Sequence, residues 1–266
     1  MTKNSNKLNE NTRRKYIYDL LLLITLYLLI STNFYAEYIM FEWVSYVVKF
    51  TLHSGYLVLA FIFIHKNMLD RPLFKKLTRD TLLFIPFLIV TVSNFVFVLF
   101  ARDLVVHEVS WLYVLLDGIA LNTLLVGAEE LLFRALLLTF FLRKRSPLQS
   151  ILYSSLIFGA VHLVNISSVA TIIPALVQVI YTFFLGLLLA TAYYFTENFI
   201  VPFTLHFVFN FFNDILFGAL FSVEQGILFY TINSVIIVLS LTYGVWLYYY
   251  LMRKKGVEDV SNIMVH

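Results

Sequence analysis

Cysteine is absent from the 266-residue chain. Disulfides, thiolate metal sites and a thiol nucleophile are therefore excluded. Charge is scarce as well: Asp, Glu, Lys and Arg make up 13% of the residues, against about 25% in an ordinary soluble domain. The formal net charge is only +3, and the basic residues sit in loops beside apolar segments, where they set membrane topology. No nucleic-acid partner is read from them. Glycine and proline number 9 and 5; no Gly/Ser linker divides the chain, and neither a second domain nor an internal repeat is apparent. The opening MTKNSNKLNENTRRKY is polar, and no small-residue cleavage site follows the first apolar run, so no cleavable signal peptide is expected.

What fills the chain is apolar. Hydrophobic residues account for 61% and the mean hydropathy is +0.85, in long runs rather than short alternating ones. An all-α, polytopic integral membrane bundle is expected, because a helix satisfies its backbone polar groups internally in lipid. About eight spans are predicted, near 17–34, 44–64, 81–100, 112–141, 148–165, 173–195, 199–221 and 228–250. Lys and Arg cluster at alternate connections: Arg13 to Lys15, Lys66 to Arg79, Arg143 to Arg145, and Arg253 to Lys255. The positive-inside rule then places both termini in the cytoplasm. The predicted organisation is a cytoplasmic tail (1–16), one transmembrane domain (17–250) and a short, disordered cytoplasmic tail (251–266). The fourth segment, about 31 residues from Trp111 to Phe141, would measure roughly 46 Å as a straight helix. It must tilt, kink or project from the roughly 30 Å hydrocarbon layer.

Ionisable and amide side chains inside such spans must face protein, water or a partner. In GAEELLFRALL, residues 127–137, Glu130 and Arg134 stand at i, i+4 and are expected to form a structural ion pair. Glu129 points about 100° away, toward the face that carries Asn122. The fifth span places Phe158 and His162 at i, i+4, with Gly159 and Ala160 permitting close helix approach. The seventh aligns His206, Asn210 and Asn213, with Asp214 beside them. Counting rise from the cytoplasmic ends brings Glu129, His162 and Asn210 to a depth of roughly 20 Å, and His206 to roughly 14 Å. Asn94, Asp117 and Gln178 are expected to be interhelical hydrogen-bonding residues. His53 and Lys49 are expected to bond locally or snorkel, and the many Phe and Tyr residues to face lipid or core. The sequon Asn165-Ile166-Ser167 carries no weight without a glycosylating compartment.

The three clusters together, Glu129-Glu130-x-x-x-Arg134, Phe158-x-x-x-His162 and His206-x-x-x-Asn210, resemble the CPBP family, also called Abi or CAAX-protease-like. That family includes type II CAAX prenyl endopeptidases and relatives linked to bacteriocin processing and self-immunity. The resemblance covers about residues 110–215. It implies an intramembrane endopeptidase in which Glu129 and His162 activate water while His206 and Asn210 stabilise the oxyanion, with Phe158 of the same motifs supporting the site; Asn122, on the face Glu129 points toward, is expected to support it too. Amide hydrolysis needs such a base and such donors. The substrate implied is a membrane-embedded or lipid-anchored peptide or protein; the composition suits a bacterial cytoplasmic membrane, with a eukaryotic one as the alternative.

Glu129, His162 and His206 could also ligate zinc. A His-Glu-x-x-His helix is missing, however, and zinc would occupy the only obvious base, so a glutamate-activated water without an obligatory metal is the preferred reading. Two other classes compete. One is a non-catalytic scaffold or immunity protein that binds a sensor kinase or toxin receptor; it has no need of four costly polar side chains. The other is a transporter, for which Pro86, Pro174 and Pro202 are available but no repeat accompanies them.

Overall fold

A computed structural model describes residues 10–31, 42–67, 73–100, 110–166, 171–212, 234–235, 238–239 and 242–254. Among the described residues, which cover the last two predicted segments (199–221 and 228–250) only in part, the helices are α1 (Glu10–Ser31), α2 (Glu42–Asn67), α3 (Ile85–Phe100, entered through a 3-10 turn from Arg79), α4 (Trp111–Leu142), α5 (Pro147–Ala160, ending in a 3-10 turn to Asn165), α6 (Ile172–Thr196), α7 (Ile200–Phe209) and α8 (242–254). No strand occurs among the described residues; Phe74 and Asn198 form an isolated bridge. Three stretches, Trp43–Lys66, Pro147–Asn165 and Ile172–Thr196, are long and apolar enough to cross a membrane by length and composition. Asn213, Asp214, the side chain of Asn94, Ser167 of the sequon, and the tail residues 1–9 and 255–266 lie outside the described residues.

The long fourth segment is helical without a break. α4 is α-helical around Asn122–Glu130 and π-helical on both sides, over Val114–Leu121 and Leu131–Leu138. At the first junction the Asn122 N–H reaches back to the carbonyls of Asp117 and Ile119. A π turn holds more residues than an α turn and so rotates the faces that follow it. Asn122 and both glutamates therefore lie on a short α segment framed by two such rotations. The half beyond them is core: Leu132, Phe133, Ala135, Leu136 and Leu138 are fully buried.

Local signals fix the registers of α5 and α7. Ser146 caps α5 in a reciprocal box with Gln149, with Pro147 at the first helical position, which satisfies orphan N–H groups at the start. At the other end of α6, Glu197 takes a left-handed conformation (φ 48°) and donates its N–H to Tyr193 O at 2.8 Å. The segment after α2 clasps this turn: Phe199 donates to Leu73 O at 2.7 Å and Lys75 to Glu197 O at 3.1 Å. Asn198 Oδ1 then accepts from Ile200 N at 2.8 Å, at the first residue of α7, six residues before His206.

α5 and α6 approach closely through small residues. A Cβ on Gly159 would stand 2.9 Å from the Val179 carbonyl oxygen, and one on Gly186 would stand 3.1 Å from Ser155 Cβ and Phe158 Cδ1. Packing between membrane helices relies on such contacts because the lipid supplies no hydrophobic drive between them. Gly159→Val is accordingly expected to force α5 from α6 and lower the unfolding temperature in detergent by several degrees, consistent with an overpacking cost of about 1–3 kcal/mol. Gly55→Ala, where a Cβ meets nothing within 4 Å, is the matched control.

Candidate active site

Three elements deliver the predicted polar residues to one place. α4 supplies Glu129 and Glu130, the end of α5 supplies His162, and α7 with the turn that continues it supplies His206 and Asn210. A cavity of about 340 Å³ is walled by Glu129, His162, His206, Asn210 and Asn122 together with further residues of α1, α2, α4 and α6. Glu129 and His206 are 3% and 2% exposed.

The two glutamates divide as the helical periodicity implies, but each has a further partner. Glu130 Oε2 lies 3.0 Å from Arg134 Nε, both side chains being fully buried. Its other oxygen, Oε1, contacts His206 Nδ1 at 2.9 Å. Glu130 is thus more than a neutralised helix residue, because it also fixes the imidazole ring. Glu129 Oε2 stands 3.5 Å from the opposite nitrogen, His206 Nε2, and its Oε1 accepts from the Tyr27 hydroxyl. His206 consequently lies between two carboxylates, tightly held at Nδ1 and only loosely engaged at Nε2. A 3.5 Å separation is long for a charge-assisted hydrogen bond, so the Nε2 side can be redirected at small cost.

His162 is oriented differently. Its Nδ1 lies 2.9 Å from the Phe158 carbonyl, and since a carbonyl oxygen only accepts, Nδ1 carries the proton. The tautomer leaves Nε2 as a lone-pair acceptor. Phe158 is the shared platform beneath both histidines: its ring meets His162 edge-on at 5.3 Å and His206 at 5.6 Å. The Arg134 guanidinium lies 4.4 Å from the same ring centroid, within cation–π range. One buried cation therefore holds Glu130 with its nitrogen edge and Phe158 with its face. Asn122 spends its amide N–H on the Phe207 carbonyl at 3.2 Å, tying α4 to α7, while its buried Oδ1 has no partner among the described residues.

Residues given no role by sequence reasoning complete the wall. Tyr27 lies in an unremarked leucine run of α1; only a buried hydroxyl's need for a partner marks it. His53 makes the expected local bond, Nδ1 to Lys49 O at 2.8 Å, yet both residues border the cavity. Asp117 and Gln178 are interhelical as expected or nearly so: Asp117 accepts from Tyr46 of α2, and Gln178 of α6 accepts from Asn165 at 2.7 Å.

The same stretch of chain carries a family signature. Residues 110–212 match the type II CAAX prenyl endopeptidase Rce1-like family model. The family is one of proteases, and the match spans all three polar clusters and every element that carries them. Together with the apolar helices it marks a membrane protein. Comparison with curated proteins and with solved structures gives no match. Among the described residues no three His, Cys, Asp or Glu side chains are grouped to hold a metal ion.

Proposed function

We propose that the protein is an intramembrane endopeptidase of the CAAX-protease-like type, acting on a membrane-associated peptide or protein in a bacterial cytoplasmic membrane. In this reading residues 17–250 form a single transmembrane domain of eight spans with cytoplasmic termini, and about 110–215 are its catalytic core. The observation that carries the reading is the convergence of Glu129, His162, His206 and Asn210 on one cavity inside an apolar bundle. Bacteriocin immunity or peptide maturation is the setting that the resemblance favours.

The chemistry follows from the orientation of each group. Water held between Glu129 and the free Nε2 of His162 loses a proton to the carboxylate as its oxygen attacks the scissile carbonyl carbon. The carbonyl π pair moves onto oxygen, and this oxyanion accepts hydrogen bonds from the Asn210 amide and from His206 Nε2–H, the ring carrying a proton on each nitrogen because Nδ1 donates to Glu130 and Nε2 faces Glu129. Glu130 holds the far side of the His206 ring, so the donor is positioned before charge develops, which is what makes such donors effective. Collapse of the intermediate breaks the C–N bond, and the proton on Glu129 passes to the departing amine. Tyr27 orients the Glu129 carboxylate through its other oxygen.

Asn210→Ala is expected to lower kcat by about 10²–10³-fold, the cost of one oxyanion donor, with KM little changed. The measurement is cleavage by purified protein in nanodiscs. A variant as active as the wild type would remove Asn210 from the mechanism, and a cell phenotype that survives loss of all cleavage would favour a scaffold role.

A further inference from the structure

The wall of the cavity is strongly one-sided along the bundle axis. α1 contributes Tyr27 and Ser31 from its last turns, and α2 contributes Lys49 and His53 from its first half. α4 lines the cavity from Tyr113 to Glu129 and nowhere beyond; α5 does so only from Val161 onward, and α6 only as far as Thr182. The basic clusters lie at the other ends of these same helices: Arg14 and Lys15 begin α1, Lys66 closes α2, and Arg143 to Arg145 separate α4 from α5. Glu129 is therefore the floor. Toward the basic end the bundle is solid, with Leu132, Phe133, Leu136 and Leu138 fully buried, Tyr16 bonded to the Leu136 carbonyl at 3.2 Å and stacked on Phe140 at 5.5 Å. Toward the other end the wall is polar, with Ser31, Lys49, Asp117, Asn165 and Gln178, and Asn165 is exposed. A cavity lined in this way is hydrated, whereas dry cavities are apolar.

Basic ends of membrane helices face the cytoplasm. We infer that the cavity is filled from the non-cytoplasmic face of the membrane, so that the substrate is a polypeptide segment presented on that side rather than a cytosolic tail. The inference rests on the proposed peptidase reading for its substrate class, and on the charge asymmetry for its direction. It also implies that the reaction supplying the substrate is one that exports a peptide or exposes an extracytoplasmic segment.

The cysteine-free chain permits a direct test that does not depend on activity. Ser31→Cys, Leu121→Cys and Asn165→Cys place single thiols along the wall, and Lys76→Cys, exposed at the basic end, serves as the opposite marker. Intact cells are treated with a charged, membrane-impermeant methanethiosulfonate, and the adduct is read as a mass shift of the purified chain. The wall positions are expected to be modified in intact cells, and Lys76→Cys only after permeabilisation. Modification of the wall positions only after permeabilisation, or from neither face, overturns the inference. Because the readout is a thiol adduct, this failure is separable from failure of the peptidase reading, which is decided by cleavage in Glu129→Gln.

Discussion

Glu129→Gln is expected to lose about 10²–10⁴-fold in kcat, the usual contribution of a general base, while the protein stays folded and inserted. Glutamine keeps the length and shape of glutamate and can still accept from Tyr27, whose hydroxyl meets Glu129 Oε1. What it cannot do is take a proton from water. The neutral amide also removes one of the two carboxylates facing His206, leaving Glu130 to hold the ring. KM should change far less than kcat, since the substituted group acts on the water and not on the bound peptide. Activity within a few-fold of wild type would assign the base elsewhere.

The second large effect is on stability. Arg134→Leu strips the guanidinium from a fully buried Glu130 and from the face of Phe158. Breaking a buried ion pair from one side typically costs about 3–5 kcal/mol, because the remaining charge stays desolvated. The expected result is a marked fall in unfolding temperature in nanodiscs and poor accumulation in membranes. Replacing both partners by apolar residues of similar volume is often close to neutral, so Arg134→Leu combined with Glu130→Leu should recover much of that stability. It should not recover cleavage, because His206 Nδ1 then lacks the oxygen now 2.9 Å away. A stable double variant with full activity would show that Glu130 serves the fold alone.

Much of this was legible because it is local. The Glu130–Arg134 pair follows from helical spacing, as does the placement of Glu129 on a neighbouring face. The helices themselves follow from apolar run length, and the close approach at Gly159 from the absence of a side chain. The contacts that assemble the site are not local: Glu130 meets His206 across 76 positions and Tyr27 meets Glu129 across 102. No periodicity within one helix encodes such pairs. The π-helical stretches flanking Asn122–Glu130 were also beyond reach, since composition distinguishes them poorly from α-helix, yet they set which way the glutamates face. Lys49 and His53 illustrate the reverse case. Their local bond was foreseeable, and their place on the cavity wall depended on packing between α2 and α4.

Hydrolysis itself is tested most directly by isotope. Wild-type protein and Glu129→Gln, each purified into nanodiscs, are incubated with total membrane peptides from the host in ¹⁸O-enriched water. New carboxyl termini are then read by mass spectrometry. ¹⁸O-bearing termini are expected with the wild type and their loss with Glu129→Gln. Equal labelling by the two proteins, or no new termini with the wild type, would contradict hydrolysis through Glu129.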